Sequence, residues 1–417
     1  SNSGHVRIYE ITSGSWIQIG QDIDGEAADD YSGNSVSLSS DGNTVAIGAP
    51  YNDGNGSNAG HVRIYENIGG SWSQIGQDID GEAVDDQSGC SVSLSSDGNS
   101  VAIGARWNDG NASYSGHVRV YENISGSWSQ IGQDIDGEAV DDRSGFSVSL
   151  SSDGNTIAIG ARLNDGGGTN AGHVRIFENI SGTWSQIGQD IDGEAADDQS
   201  GYSVYLSSDG NTVAIGAPFN DVNGSFSGHV RIYENIGGSW SQIGQDIDGE
   251  AVDDRSGFSV SLSSDGNTVA IGAYGDDGNG SNSGLVRIYE NIGGSWSQIG
   301  QDIFGEAAYD RSGSSVSLSS DGNTLVIGAP YNNGNGIDAG HVRIFEMLTP
   351  CSDLGCLDPL ALNFDPNATV SDSTCIYPNY GCLDLLALNY NSSANIDDGT
   401  CTYCICLLYT SPSPRDS

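Results

Sequence analysis

The chain carries 417 residues, with 56 acidic side chains set against 13 arginines and no lysine, for a formal net charge of −43 at pH 7. Such a surface repels phosphate backbones and anionic membranes, which excludes nucleic acid as a partner. No apolar run approaches the length needed to cross a bilayer, so direct membrane insertion of this stretch is not expected.

The segment GHVRIYE at 4–10 returns almost unchanged from Gly60, Gly116, Gly172, Gly228, Gly284 and Gly340, a period of 56 residues. Trp16, Trp72, Trp128, Trp184, Trp240 and Trp296 keep the same step. A fixed period of this order marks an array of supersecondary units. In the unit from Trp72 to Glu122, residues 71–79 (SWSQIGQDI) alternate weakly around an aromatic and read as an outer strand. An acidic loop follows at 80–89, and residues 91–95 (SVSLS) then place Val92 and Leu94 on one face and serines on the other. Asp97-Gly98-Asn99 is a tight-turn signal, because Gly and Asn accept positive φ. Residues 100–105 (SVAIGA) form the return strand, 106–116 a Gly/Asn-rich loop, and 117–122 (HVRVYE) a fourth strand.

Four short antiparallel strands per unit, without helical periodicity, predict an all-β fold: a β-propeller of four-stranded blades. Branched residues on one face and Ser, Ala and Gly on the other suit blades stacked face to face, and the hairpin turns argue against a parallel β-helix. The predicted propeller spans 1–346, with six complete blades at about 16–66, 72–122, 128–178, 184–234, 240–290 and 296–346. A remnant strand at 5–10 points to a seven-bladed parent, with a closed six-bladed ring as the competitor. An open ring would leave two apolar blade faces bare and the chain prone to aggregate.

The combination of Gly33-x-Ser35-Val36, Ile47-Gly48-Ala49-Pro50 and Gly60-x-Val62-x-Ile64-Tyr65 resembles the FG-GAP repeat of integrin-alpha-type β-propellers, over residues 4–346. Two departures stand out. The phenylalanine before the first glycine is Ser32, Ser88, Ser144, Ser200, Ser256 or Ser312, and Arg106, Arg162 or Tyr274 replaces the proline in three copies. The resemblance implies calcium in an Asp-x-Asp/Asn-x-Asp-Gly loop between the first two strands. That loop is reduced here to Ser95-Ser96-Asp97-Gly98-Asn99, with one carboxylate, so the calcium site does not carry over. Asp97 and its equivalents read as turn formers.

A second acidic cluster remains. Asp22, Asp24, Glu26, Asp29 and Asp30 crowd together, and Asp78, Asp80, Glu82, Asp85 and Asp86 repeat them, as do the copies from Asp134, Asp190 and Asp246. In the last copy Phe304 and Tyr309 replace two aspartates, so a blade dispenses with the full set. A solvated acidic loop is the favoured reading, and a calcium loop is the alternative; calcium is the one cofactor the sequence suggests. His5, His61, His117, His173, His229 and His341 share one repeat position, held by Leu285 in the remaining unit. They fall on different blades, so packing or local hydrogen bonding is expected of them rather than one shared metal centre. The arginines from Arg7 to Arg343 on the same face are expected to pair with carboxylates.

No nucleophile–base constellation is visible, and identical repeats make a poor asymmetric catalytic centre, so the array is read as non-enzymatic. Recognition is expected in the variable loops at 51–59, 107–115, 163–171, 219–227, 275–283 and 331–339. The candidate ligand-binding residues are Trp107, Asn108, Asp109 and Tyr114 in one loop and Phe219, Asn220, Asp221 and Phe226 in another. Aromatic and amide side chains of this kind suit glycan or protein contact.

After a linker at 347–355, the pattern Gly355-Cys356…Cys375 repeats as Gly381-Cys382…Cys401 within 356–404. It resembles the short Gly-Cys-Thr-Asp-Pro…Asp-Gly-Ser-Cys modules of secreted bacterial and marine proteins. Units this small need a staple, and the repeat selects disulfides Cys356–Cys375 and Cys382–Cys401, leaving Cys351 and Cys404 unassigned. Disulfides imply an extracellular or cell-surface location. The zinc reading of Cys401-x-x-Cys404 is weak, because the histidines lie elsewhere, and Cys90 reads as a single buried thiol. Residues 406–417 (CLLYTSPSPRDS) resemble a translated sequencing adapter and are set aside. With a start inside a repeat and its only methionine at Met347, the chain reads as an internal fragment. The expected role is an extracellular binding or adhesion module that recognises protein or glycan through rim loops. The alternatives are a non-catalytic propeller of a larger secreted, polysaccharide-active enzyme, or a structural surface spacer.

Overall fold

Each unit is organised by two hairpins. At the first, Asp97 Oδ1 accepts from Ser95 Oγ at 2.6 Å and from the Asn99 amide at 3.0 Å, which closes the turn from within. At the second, Asn123 Oδ1 accepts from the Gly126 amide at 2.8 Å, and Ser125 and Gly126 take φ of +55° and +87°, the double positive φ of a primed hairpin turn.

The computed structural model describes residues 2–347, 354–355, 361, 370–371, 382, 384–391 and 399–402. The chain divides into two compact units, the first running through Arg343 and the second from Ile344. No helix occurs among the described residues. A representative sheet runs Ser88–Leu94, Ser100–Ala105, His117–Ile124, Ser127–Gln130 in antiparallel order, and Ile135–Asp136 pairs back onto the third strand. The protein is a propeller with six blades. Four of them are five-stranded sheets of this form, one has four strands in the same order, and the sixth has three strands, Ser315–Leu318, Thr324–Ala329 and His341–Glu346.

The blades are phased differently from the sequence expectation. The Trp128 strand pairs with the His-Val-Arg strand before it, Asn123 opposite Trp128, and so closes its sheet instead of opening the next one. The short hairpin at 123–126 dictates this, since its turn brings consecutive strands together. The same pairing turns the remnant at 5–10 into a hairpin, Tyr9–Thr12 with Ser15–Gln18, which is the outer half of a blade.

Successive sheets meet at an inner and an outer seam. At the inner seam, a Cβ added to Gly160 would lie 2.1 Å from the carbonyl oxygen of Gly201 in the next blade, and Ser147 Oγ donates to that oxygen at 2.8 Å. Only glycine permits this approach. At the outer seam, Trp184 Nε1 donates to the Ile131 carbonyl of the preceding blade at 2.9 Å, and Gln133 Nε2 donates to the Trp184 carbonyl at 2.9 Å. Between the seams lies an apolar layer: Val118, Val120 and Ile135 of one blade against Leu150, Ile157, Ile159 and Trp184 of the next. Each large side chain buried there contributes roughly 1.5–3 kcal/mol.

The stack does not close. Val36 and Leu38 are 54% and 49% exposed where Val92 and Leu94 are 9% and 7%. At the other end Val342 is 59% exposed, and Gly328 meets only Ser315 of its own sheet. In the second unit the Cys382–Cys401 disulfide is formed. Cys356, Cys375, Cys351, Cys404 and 406–417 lie outside the described residues. Cys90 is buried with Sγ 3.4 Å from the Gly104 carbonyl, and burial pushes its thiol pKa up.

The seam predicts an order of effects. Gly160→Ala forces two backbones apart and is expected to destabilise by about 3 kcal/mol. Trp184→Phe loses chiefly one hydrogen bond and is expected to cost about 1 kcal/mol. Urea unfolding of the two variants checks the ranking.

Candidate functional site

Within a blade, the first strand begins where the second ends, as Ser88 opposite Ala105 shows. The first strands of successive sheets also pack against one another. Residues at and just beyond these strand ends therefore gather at the inner edge of one rim, and they are repeat positions that vary from blade to blade. Rings follow one another there: Phe146–Tyr202 at 4.9 Å between centroids, Tyr202–Phe258 at 4.8 Å and Phe258–Tyr274 at 4.4 Å.

Five arginines share this edge. The guanidinium carbon of Arg162 lies 4.2 Å from the Phe146 centroid, Arg143 lies 5.2 Å from Trp107, and Arg106 5.5 Å from Phe146. Arg255 stands 5.5 Å from Phe219, and Arg311 4.7 Å from Tyr331. These are cation–π distances. None of the five forms an ion pair among the described residues, whereas Arg63, Arg119, Arg175 and Arg231 on the strands each face a glutamate at 3.3–3.5 Å. Arg106 instead donates to Gln87 Oε1 at 2.8 and 3.0 Å, Arg162 to Gln199 Oε1 at 2.7 Å, and Arg255 to the Tyr274 hydroxyl. The Nε atoms of Arg143 and Arg162 are buried without a hydrogen-bond partner among the described residues. Burial pushes the Arg162 pKa down, and the neighbouring charges of Arg143 and Arg106 act in the same direction against the pull of Tyr202.

The backbone is also unusual here. Arg143, Arg255 and Arg311 sit at φ of +56°, +57° and +53°, a left-handed conformation that long side chains seldom adopt. The same repeat position is left-handed in the other units too, at Tyr31, Gln87 and Gln199 with φ of +54°, +55° and +54°, so the turn belongs to the blade and the arginines occupy it.

The sequence-selected loop residues divide into two roles. Trp107 packs on Tyr114 and Phe219 on Phe226, each pair at 5.6 Å, so the aromatic rings join the rim. The polar residues hold the loops instead. Asn108 and Asn220 donate to Asp86 and Asp198 at 3.1 and 3.0 Å, while Asp109 and Asp221 accept from the Tyr114 and Phe226 amides, each at 2.7 Å.

The acidic loop is not gathered into one cage. Asp22 accepts from Arg7 Nη2 at 2.9 Å and from Gln18 at 2.7 Å, while Asp78 accepts from Gln74 at 2.6 Å. Asp24 and Asp80 lie in the added strand, where their carbonyls accept from Arg63 and Arg119 at 2.8 and 2.9 Å. Glu26 and Glu82 turn to those same arginines at 3.5 and 3.3 Å. Asp29 accepts from the Asn2 amide at 3.3 Å and Asp85 from Asn58 at 2.9 Å. Asp30 and Asp86 cap the loop through the Ala27 and Ala83 amides at 3.0 and 2.9 Å. The hairpin that corresponds to the family's calcium loop does not fit calcium either, because its lone carboxylate, Asp97, is engaged by Ser95 and Asn99.

The structure does bring together groups that sequence spacing hid. Glu26, His61 and Asp78 place one potential ligand atom each within 4.8 Å of one another, as do Glu82, His117 and Asp134; Glu138, His173 and Asp190; and Glu194, His229 and Asp246. The histidines are buried. Desolvation, reinforced by the following arginine and opposed by the aspartate, lowers His117, His173 and His229 to about 4.

The comparisons agree with this architecture. The model described as "FG-GAP repeat" matches residues 23–65, 135–177, 247–289 and 305–345. These are FG-GAP repeats. Among curated proteins none matches the chain. The FG-GAP array is similar in fold to the periplasmic gluconolactonase PpgL of Pseudomonas aeruginosa, at 16% identity and a TM-score of 0.55, covering 82% of this chain and 87% of that one. It is also similar to putative 6-phosphogluconolactonases from Bacteroides uniformis (15%, TM-score 0.51, 79% and 84% covered) and Bacteroides fragilis (14%, TM-score 0.52, 80% and 83% covered). At these identities the likeness concerns the fold alone.

The buried histidines give the FG-GAP array an acid-sensitive stability. A folded-state pKa of about 4 below an ordinary 6.5 favours the neutral imidazole, so this contribution is complete above pH 6.5 and is lost as pH falls toward 4. In chelator-treated protein, the urea midpoint is expected to drop between pH 7 and pH 5. His229→Gln, which keeps Arg231, Glu194 and Asp246 in place, should flatten that drop.

Proposed function

We propose that the FG-GAP array is a non-catalytic binding module of an extracellular or cell-surface protein, and that it holds an acidic glycan at the rim of arginines and aromatic rings. One observation carries the reading. In a chain of net charge −43, five guanidiniums stack on rings at one edge with no carboxylate partner among the described residues.

A partly desolvated guanidinium without a counter-ion is costly, and a carboxylate or sulfate group of a ligand would satisfy it with two parallel hydrogen bonds. The neighbouring rings offer flat apolar faces to the C–H faces of a sugar. The surrounding acidic surface repels long polyanions such as nucleic acids, and so favours a ligand that inserts a few charges at this edge. The rim supplies groups that hold rather than a nucleophile beside its base. The Cys382–Cys401 disulfide supports the oxidising location.

The test compares calorimetric binding of a uronate oligosaccharide with that of its neutral counterpart. Arg143, Arg255 and Arg311 are replaced together by Asn, which accepts left-handed backbone. The acidic ligand is expected to bind more tightly, and the triple variant to lose at least tenfold in Kd, about 1.4 kcal/mol, with an unchanged melting temperature. Equal affinity for both oligosaccharides, or an unaffected Kd in the variant, would refute the proposal. Binding of an acidic peptide but of no oligosaccharide would overturn the glycan assignment.

A further inference from the structure

We infer that the four Glu–His–Asp groups are divalent transition-metal sites of the zinc class, one at each of four successive blade junctions and separate from the rim ligand. Each combines a glutamate from the loop that enters a blade with a histidine from the blade's third strand and an aspartate from the segment that follows its fourth strand.

The spacing within a group suits an ion better than a hydrogen bond. His61 Nδ1 lies 3.9 Å from Asp78 Oδ2 and 4.0 Å from Glu26 Oε2, and His117 Nδ1 lies 3.9 Å from Asp134 Oδ2. These gaps exceed hydrogen-bond length. Ligand atoms around a tetrahedral ion with bonds near 2.0 Å stand about 3.3 Å apart, so the partly exposed carboxylates need only a small inward movement. The imidazoles are fixed. His229 is 1% exposed, and its Nδ1 finds no hydrogen-bond partner among the described residues. In that group a buried ring nitrogen with no partner stands near two carboxylates, as it would in an incomplete coordination shell. Imidazole with carboxylate selects zinc-like ions over calcium or magnesium, which prefer oxygen alone.

The array contains its own control. In the blade where Leu285 replaces the histidine, Arg287 moves into the gap: it bonds Asp302 through Nε at 3.0 Å and also pairs with Glu250. Where the histidine is buried, the equivalent arginine leaves the aspartate alone and donates to a backbone carbonyl instead, as Arg119 does to Asp80 at 2.9 Å, Arg175 to Asp136 at 2.6 Å and Arg231 to Asp192 at 2.7 Å. The arginine faces the glutamate in every one of these blades, but it reaches the aspartate as well only where no buried histidine stands beside it, as Arg287 does at Asp302 and Arg7, next to the exposed His5, does at Asp22.

The experiment is calorimetric titration of zinc chloride into the oxidised, chelator-treated full chain, with cobalt(II) absorption as a second readout. The wild type is expected to take four ions at comparable affinity. Single substitutions His61→Gln, His117→Gln, His173→Gln and His229→Gln should each remove one ion and about a quarter of the cobalt d–d intensity, without loss of the cooperative melt. Absence of zinc binding would overturn the inference and leave water as the occupant of the gaps. So would a stoichiometry that the substitutions do not change, or one that calcium satisfies equally in wild type and variants.

Discussion

Backbone meeting backbone between blades, with no side chain in the way, is the contact on which the rest of the molecule depends. Gly160 lies against the Gly201 carbonyl, and Gly48, Gly104, Gly216 and Gly272 repeat the approach against Gly89, Gly145, Gly257 and Gly313. That contact sets the inner radius. It packs the first strands together and so brings residues of neighbouring blades, far apart in sequence, within ring-stacking distance. The tryptophan hydrogen bonds fix the outer spacing, and the branched residues fill the layer between.

On that scaffold, charge is sorted by position. The strand arginines face a glutamate of the neighbouring loop and hold backbone carbonyls, and loop aspartates such as Asp86 cap backbone amides. The five rim arginines are left outside this arrangement. Their neighbours are rings, glutamines and a tyrosine, and three of them sit on left-handed backbone.

Much of the fold was legible in the sequence, because a propeller blade advertises itself locally. Val92 and Leu94 alternate, Asp97-Gly98-Asn99 turns, and Gly104 marks the close approach. Blade phase was harder to read, since the order of strands does not reveal which neighbour each one joins. The Asn123-to-Gly126 turn held that information and ties Trp128 backward. The rim was half legible. Trp107, Tyr114, Phe219 and Phe226 stood out as aromatics in variable loops, but Asn108, Asp109, Asn220 and Asp221 proved to be loop struts. Arg143, Arg255 and Arg311 went unnoticed because each is one departure at a drifting position. Subtracting the strand arginines and Arg415 from the total would have isolated all five. The Glu–His–Asp groups were hidden because their members come from segments well separated in the chain, which only the junction between blades brings together.

The central claim is that the rim arginines, and not the strand arginines, meet the ligand. Arginine-selective NMR of the Nε–Hε signals, followed while an acidic oligosaccharide is added, tests it most directly. The account predicts shifts for Arg106, Arg143, Arg162, Arg255 and Arg311, with Arg63, Arg119, Arg175 and Arg231 unmoved. Shifts confined to the strand arginines, or none at saturating ligand, would contradict it.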